Sequence, residues 1–154
     1  MKNLKNLLFD HCENHINNKL KNYLKIDQEL FKSLNEETKS SAGDKHETTR
    51  AMIQIEREKN SNRIKEIESV KKNLVLVKSI EPSTISVKIG SIIFTTNNNY
   101  FISISSEIYK SDIIKIHCIS PNTPIAKAYL GKKVGNIVNF NNIESKIEKI
   151  ISFL

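Results

Sequence analysis

Tryptophan is absent from the 154 residues, and Phe and Tyr together number ten. A large aromatic core is therefore not expected, nor an aromatic-lined pocket of the kind that holds a proline peptide. Glycine and proline are scarce as well: no Gly precedes Gly43 and no Pro precedes Pro82. Nothing in the first forty residues breaks a helix. The two cysteines, Cys12 and Cys118, lie far apart. Such a pair makes no disulfide framework and favours reduced thiols in a cytoplasm. No apolar run approaches the roughly 20 residues that span a bilayer. The N-terminal segment Met1-Lys2-Asn3-Leu4-Lys5 lacks the apolar stretch of a signal peptide. The chain reads as soluble and cytoplasmic, without a membrane partner. A basic block is missing too. Residues 1–80 hold 16 Lys/Arg against 12 Asp/Glu, and residues 81–154 hold 8 against 5, so the net charge of +7 is spread along the chain. Contact with nucleic-acid phosphates is expected to be modest.

What is present falls into two textures. Leu4, Leu8, Cys12, Ile16, Leu20, Tyr23, Leu30 and Leu34 recur at steps of three, four or seven, the stripe of an amphipathic helix. A second helical pattern runs from about residue 45 to about residue 77. Its stripe is Met52, Ile55, Ile64, Ile67, Val70 and Leu74, interrupted by Asn60. Each helix of about 30 residues would be roughly 45 Å long. Joined by a short loop of small residues, the two fold back as an antiparallel coiled coil over residues 1–77. The hairpin pairs its own apolar seam, which favours a monomer. Beyond an Ile80–Ser83 linker, where Pro82 stops the helix, β-branched residues dominate. Segments 84–89, 91–96, 100–105, 113–119, 137–140 and 145–151 read as strands, with Asn97-Asn98-Asn99 as a hairpin turn. Thr123–Leu130 reads as a short helix, with Pro124 in its first turn and Gly131 just past its end. The fold class is α+β: a long N-terminal helical hairpin followed by a small β-rich domain over residues 84–154.

The hairpin loop is the chemically distinctive stretch. Glu36, Glu37, Asp44 and Glu47 place four carboxylates within twelve residues. Asp44 is also a candidate N-cap of the second helix, with Glu47 three residues on as its capping-box partner. A thin probe with acids at its end can carry negative charge into another molecule's active site. Lys32, Lys39, Lys45 and Arg50 flank these acids, and His46 lies among them.

Two segments together resemble the bacterial Gre transcript-cleavage factors. Gly43-Asp44-Lys45-His46-Glu47 resembles the Gly-Asp-x-x-Glu tip of that family. Ser120-Pro121-Asn122-Thr123-Pro124-Ile125-Ala126-Lys127-Ala128-Tyr129-Leu130-Gly131-Lys132-Lys133-Val134-Gly135 resembles its C-terminal signature. The resemblance covers essentially the whole chain and implies an FKBP-like fold for the C-terminal domain. It further implies a factor that binds RNA polymerase through Asn122, Thr123, Pro124 and Ile125. Such a factor extends its coiled coil into the secondary channel and stimulates cleavage of backtracked nascent RNA. By the same resemblance Asp44 and Glu47 act as catalytic tip acids and share a Mg2+ ion with the polymerase active site. The factor holds no cofactor alone and is not an independent enzyme. Thr48 stands where the family has Asn, and residues 35–42 differ from the common tip. Related channel-binding factors keep this architecture without cleaving, so a non-cleaving secondary-channel regulator is the alternative.

Other candidates are weaker. His11 and His15 have the four-residue spacing of metal ligands, yet no third and fourth ligand lies near them, and Cys12 fits the buried stripe. His117-Cys118 sits in a strand pattern. Gly131 and Gly135 lack the spacing of a phosphate loop and fit turns. A prolyl isomerase or chaperone, and a plain coiled-coil scaffold, are the competing function classes.

Overall fold

The computed structural model describes residues 3–39, 44–81 and 83–151, with the side chains of residues 38–39 and 44–45 outside that description. Two 36-residue helices come first, α1 (Leu4–Lys39) and α2 (Asp44–Ser79). They run further than the apolar spacing alone predicts. Asn3 caps α1: its side chain accepts a hydrogen bond from the Asn6 amide at 2.9 Å. At the C-terminus of α2, the Ser79 hydroxyl donates to the Leu76 carbonyl at 2.7 Å, satisfying an orphan acceptor of the last turn. No described helix is long and apolar enough to cross a membrane.

The chain divides into two compact units: Ile16–Lys71, and Met1–His15 together with Lys72–Leu154. Within Ile16–Lys71 the helices pair antiparallel. The Asn60 amide donates to the Tyr23 carbonyl at 2.8 Å, Arg57 pairs with Asp27 at 3.0 Å, and His46 pairs with Glu37 at 2.9 Å. As the position rises along one helix it falls by nearly the same step along the other, which fixes the register.

The α2 stripe differs from the sequence expectation near its start. Met52 and Ile55 are 63% and 53% exposed. Ile53 and Arg57 take the inward positions, and Asn60 is fully buried between them and Ile64. The spacing from Asn60 back to Arg57 and Ile53 is three and four, so the stripe continues through polar residues. Arg57 is accommodated because Asp27 takes its charge and Phe31 lies under its guanidinium, 4.8 Å from ring centroid.

The other unit is built on a six-stranded sheet. Its strands are β1 (Ile92–Thr95), β2 (Asn99–Ile102), β3 (Tyr109–Lys110), β4 (Lys115–Ile119), β5 (Ile137–Phe140) and β6 (Ile143–Ile151), with α3 (Pro124–Tyr129) between β4 and β5. The spatial order is β3-β4-β2-β1-β6-β5. Only β2 and β4 pair in parallel. The expected turn joins β1 to β2 but sits one residue earlier, at 96–98, because Asn99 already pairs with Phe94; Thr95 closes it by donating its hydroxyl to the Asn98 carbonyl at 2.6 Å.

Both faces of this sheet are covered. On one, Ile93, Tyr100, Ile102, Ile147 and Ile150 pack with Val87, Val138 and the Ala126 and Tyr129 side chains of α3. On the other, Phe101 meets Phe9 of α1 edge-on, with centroids 5.3 Å apart. Central strands of a doubly covered sheet need apolar residues on both faces, which is why Ile92 and Ile93 are adjacent and both buried. The α+β layout of helical hairpin and small β domain is thus the one read from the sequence.

Several strand boundaries change. Segment 84–89 is not a strand, although its β-branched composition fits one. It makes a local two-bond link instead: the Val87 amide donates to Lys132 O at 2.8 Å and the Gly131 amide to Val87 O at 2.9 Å. Gly131 then turns away with φ +81°, so no ladder can extend. Strand β4 starts at Lys115 rather than Ile113, because a turn closed by Ser111 N and Ile114 O at 2.9 Å takes the preceding residues. Strand β3, unforeseen in sequence, pairs antiparallel with β4 just before that turn. Strand β6 begins at Ile143, two residues early. Asn141 and Asn142, at φ 51° and 63°, form the two-residue turn that joins it to β5.

Candidate functional site

The acidic loop splits at the boundary of the described residues. Residues 40–43 and the Asp44 side chain lie outside them, and so does the expected capping role of Asp44. The backbone of Asp44 opens α2, and Glu47 lies in the same first turn with its side chain exposed. Residues three apart on a helix share a face. Acids in a first helical turn are also favoured by the partial positive charge of the unsatisfied amides there.

One of the neighbouring charged groups is engaged within the hairpin. His46 is helical, and its Nδ1 lies 2.9 Å from the Glu37 carboxylate. This contact joins the end of α1 to the start of α2. It occupies the Glu37 carboxylate, whereas no hydrogen bond of the Glu47 carboxylate is seen among the described residues. The sequence could have shown this pair only through the helix register, because nine residues and a loop separate the partners.

The C-terminal signature builds a rigid loop. Thr123 caps α3, accepting from the Ala126 amide at 3.3 Å while its hydroxyl donates to Ser120 O at 2.7 Å. Pro124 follows at the first helical position, where a missing N–H costs nothing. Leu130 N donates back to Ala126 O at 2.9 Å and closes the helix. Gly135, with φ +89°, turns the chain into β5, and its amide donates to Ile147 O at 2.8 Å. Of the four residues predicted to grip a partner, Thr123 is engaged in the cap and Ile125 packs against the core. Asn122 and Pro124 are exposed. The loop therefore presents two side chains and uses two to hold their positions.

Sequence reasoning missed one apolar surface. Ile113 is 94% exposed, in the turn between β3 and β4. It lines an open groove with Leu4, Leu7, Tyr109 and Ile114. The signal was the Ser111-Asp112 turn pair, which takes Ile113 out of the strand. His11 is not a metal ligand in this arrangement: its Nε2 meets the Glu107 carbonyl at 2.8 Å and its ring stands edge-on to Tyr109. Among the described residues no group of three or more His, Cys, Asp or Glu could hold a metal ion. Tyr100 and Tyr129 face one another across 5.2 Å in the core, and burial, above all, raises the Tyr100 pKa.

Neither a family model nor a curated protein matches the chain. Among solved structures it is similar to GreA factor homolog 1 (Gfh1) of Thermus thermophilus, at 19% identity and a TM-score of 0.34, over 89% of this chain and 92% of that one. Gfh1 of Thermus aquaticus gives 20% identity and 0.35, over 93% and 96%. A further structure of the transcription factor Gfh1 gives 20% and 0.35, over 92% and 94%. These are weak likenesses.

Proposed function

We propose that the chain is an RNA polymerase-binding elongation factor that uses the turn of its helical hairpin as an acidic probe of the secondary channel. The observation that carries this reading is the exposed Glu47 carboxylate in the first turn of a 36-residue helix, three residues from Asp44. The Ser120–Gly135 segment supports it from the other unit, as a capped, preorganised loop that offers Asn122 and Pro124 to a partner.

The donor set fits Mg2+. That ion prefers oxygen ligands and is commonly bound by one or two carboxylates together with waters and phosphate oxygens. Asp44 and Glu47 are the residues that would hold it, with the polymerase supplying the remaining ligands. When bound, the ion supplies charge stabilisation and an activated water for phosphodiester hydrolysis of the nascent RNA. The chain's own contribution is to carry the two acidic residues in, three positions apart at the start of α2. His46 engages Glu37 and so limits the acids available at that point to fewer than the sequence count. The bond chemistry belongs to the polymerase.

A second reading has its own observation. Thr48 replaces the Asn that follows the tip Glu in the cleavage factors, and it borders Glu47 directly. A factor with this change would occupy the channel and retune the polymerase without cleaving.

Incubation with purified polymerase and stalled, backtracked complexes tests both readings. Binding with release of short 3′ RNA fragments is expected for the first. Binding without fragments would select the regulator. Absence of binding would remove both and leave a coiled-coil scaffold.

A further inference from the structure

Cys12 and Cys118 are 106 positions apart in sequence and meet in the fold. Cys12 lies on α1 and Cys118 on β4, both buried and both free thiols. Ser106 brackets them. Its amide donates to the Cys118 carbonyl at 3.4 Å, and its hydroxyl lies 3.9 Å from Cys12 Sγ. The Ser103 hydroxyl is 3.7 Å from the same sulfur. The two thiols are close enough to shift one another's ionisation. Two thiols and two hydroxyls thus form a small polar cluster between α1 and the sheet. Ser106 is half-buried and its neighbours Ser105 and Glu107 are exposed, so the cluster lies just beneath the surface.

We propose that Cys12 and Cys118 form a reversible thiol–disulfide couple that fastens the first turns of α1 to the sheet, with low-molecular-weight disulfides as the oxidant class. This inference is independent of the polymerase reading. A buried cysteine that serves only as a small hydrophobe needs no second sulfur beside it. Two neighbouring thiols beside two hydroxyls have the arrangement of an attacking and a resolving thiol.

The chemistry balances without any further reactant. Cys12 is fully buried, so the exchange begins when the first turns of α1 open locally from the sheet; the Cys12 thiolate then attacks one sulfur of the external disulfide, forming a mixed disulfide and expelling one thiolate. The Cys118 thiolate then attacks Cys12 Sγ, forming the internal bond and expelling the second. The pair loses two electrons and two protons, and one external disulfide becomes two thiols. The order of attack follows from the environment. The neighbouring Cys118 thiol lowers the Cys12 pKa, burial opposes this, and the Ser103 and Ser106 hydroxyls assist. Cys118 is pushed far up, first by the neighbouring Cys12 sulfur, then by burial and by the Cys12 charge. Once Cys12 is in the mixed disulfide that charge is gone, and Cys118 is released to act.

The test uses the full chain in buffers of graded reduced-to-oxidised glutathione ratio, approached both from the folded reduced protein and by refolding from urea. Thiols are trapped by alkylation in denaturant and the peptides mapped by mass spectrometry. The expected result is a fall from two alkylated thiols to none in a single two-electron transition. The Cys12 and Cys118 peptides should be joined within one chain. The oxidised form should melt higher by on the order of 5–10 °C, because the link closes a long loop of the unfolded chain. Cys12→Ser and Cys118→Ser should each keep one titratable thiol, end as a glutathione adduct and show no such rise. Two thiols persisting at every ratio from both directions would overturn the proposal. So would a link found only between chains, or an internal link that lowers the melting temperature.

Discussion

In the sheet unit Ile93, Phe101, Ile102, Ile116 and Ile147 lose essentially all contact with water, whereas in the hairpin unit Leu20, Leu30, Leu34 and Ile64 are only partly buried, with Ile16 and Ile67 as its dry points. The residue types are alike; the surroundings differ. A strand residue in a doubly covered sheet has neighbours above, below and on both sides. A seam residue of a two-helix pair has one facing helix and water at its flanks. Burial per residue, and so the apolar contribution to stability, is larger in the sheet. The hairpin supplements a thin seam with specific polar contacts: Asn60 to Tyr23, Arg57 to Asp27, and His46 to Glu37. The lesson is a division of labour. The sheet supplies stability and presents the Asn122–Pro124 loop, while the hairpin supplies register and reach.

Substitutions can break that comparison, beginning with the sheet. Phe101→Ala should cost about 3–5 kcal/mol, because it empties the contact with Phe9 in a fully packed site. Ile64→Ala in the hairpin should cost about 1–2 kcal/mol, as that site is already partly open to water. Denaturant melts of the two variants check the ratio, and equal losses would contradict the division. Asn60→Leu should change sign. It removes a buried amide with one unpartnered oxygen and should stabilise by about 1 kcal/mol. The register then loses its polar marker, read as mixed pairing or oligomers in sedimentation. Arg57→Ala should cost about 0.5 kcal/mol, since the ion pair is one-third exposed and screened by salt. Raising ionic strength should shrink that difference. His46→Ala should shift stability least, within about 0.5 kcal/mol. Its effect belongs to the transcript-cleavage readout, where loss of the His46–Glu37 contact alters the charge presented.

The long helices were legible because nothing else competes with them: apolar steps of three and four, and no Gly or Pro over their length. The stripe was misread only at Met52 and Ile55, where Arg57 and Asn60 hide the true phase. Polar residues at seam positions look like surface until their partners are known. Segment 84–89 failed for the opposite reason. Composition described a strand, but a strand needs a pairing edge, and Val87 found two bonds beside Gly131. The Asn141-Asn142 turn was readable and went unread; two Asn residues at positive φ between β-branched runs are a hairpin signal. The Thr123 and Pro124 cap, and the turns at Gly131 and Gly135, followed directly from residue chemistry.

The candidate site was legible to a different degree. Asp44 and Glu47 stood out from four acids only through resemblance, since periodicity gives every exposed acid the same status. The pairing of Glu37 with His46, and the meeting of Cys12 with Cys118, depend on tertiary register. Spacing along the chain carries no trace of either.

The central claim is that the hairpin's acids act while the rest of the chain holds and delivers them. Asp44→Asn combined with Glu47→Gln tests it most directly, with binding to RNA polymerase and cleavage of backtracked RNA measured on the same preparation. Binding is predicted to remain at the unsubstituted level while stimulated cleavage falls to the rate of polymerase alone. Cleavage that survives the double substitution would contradict the claim.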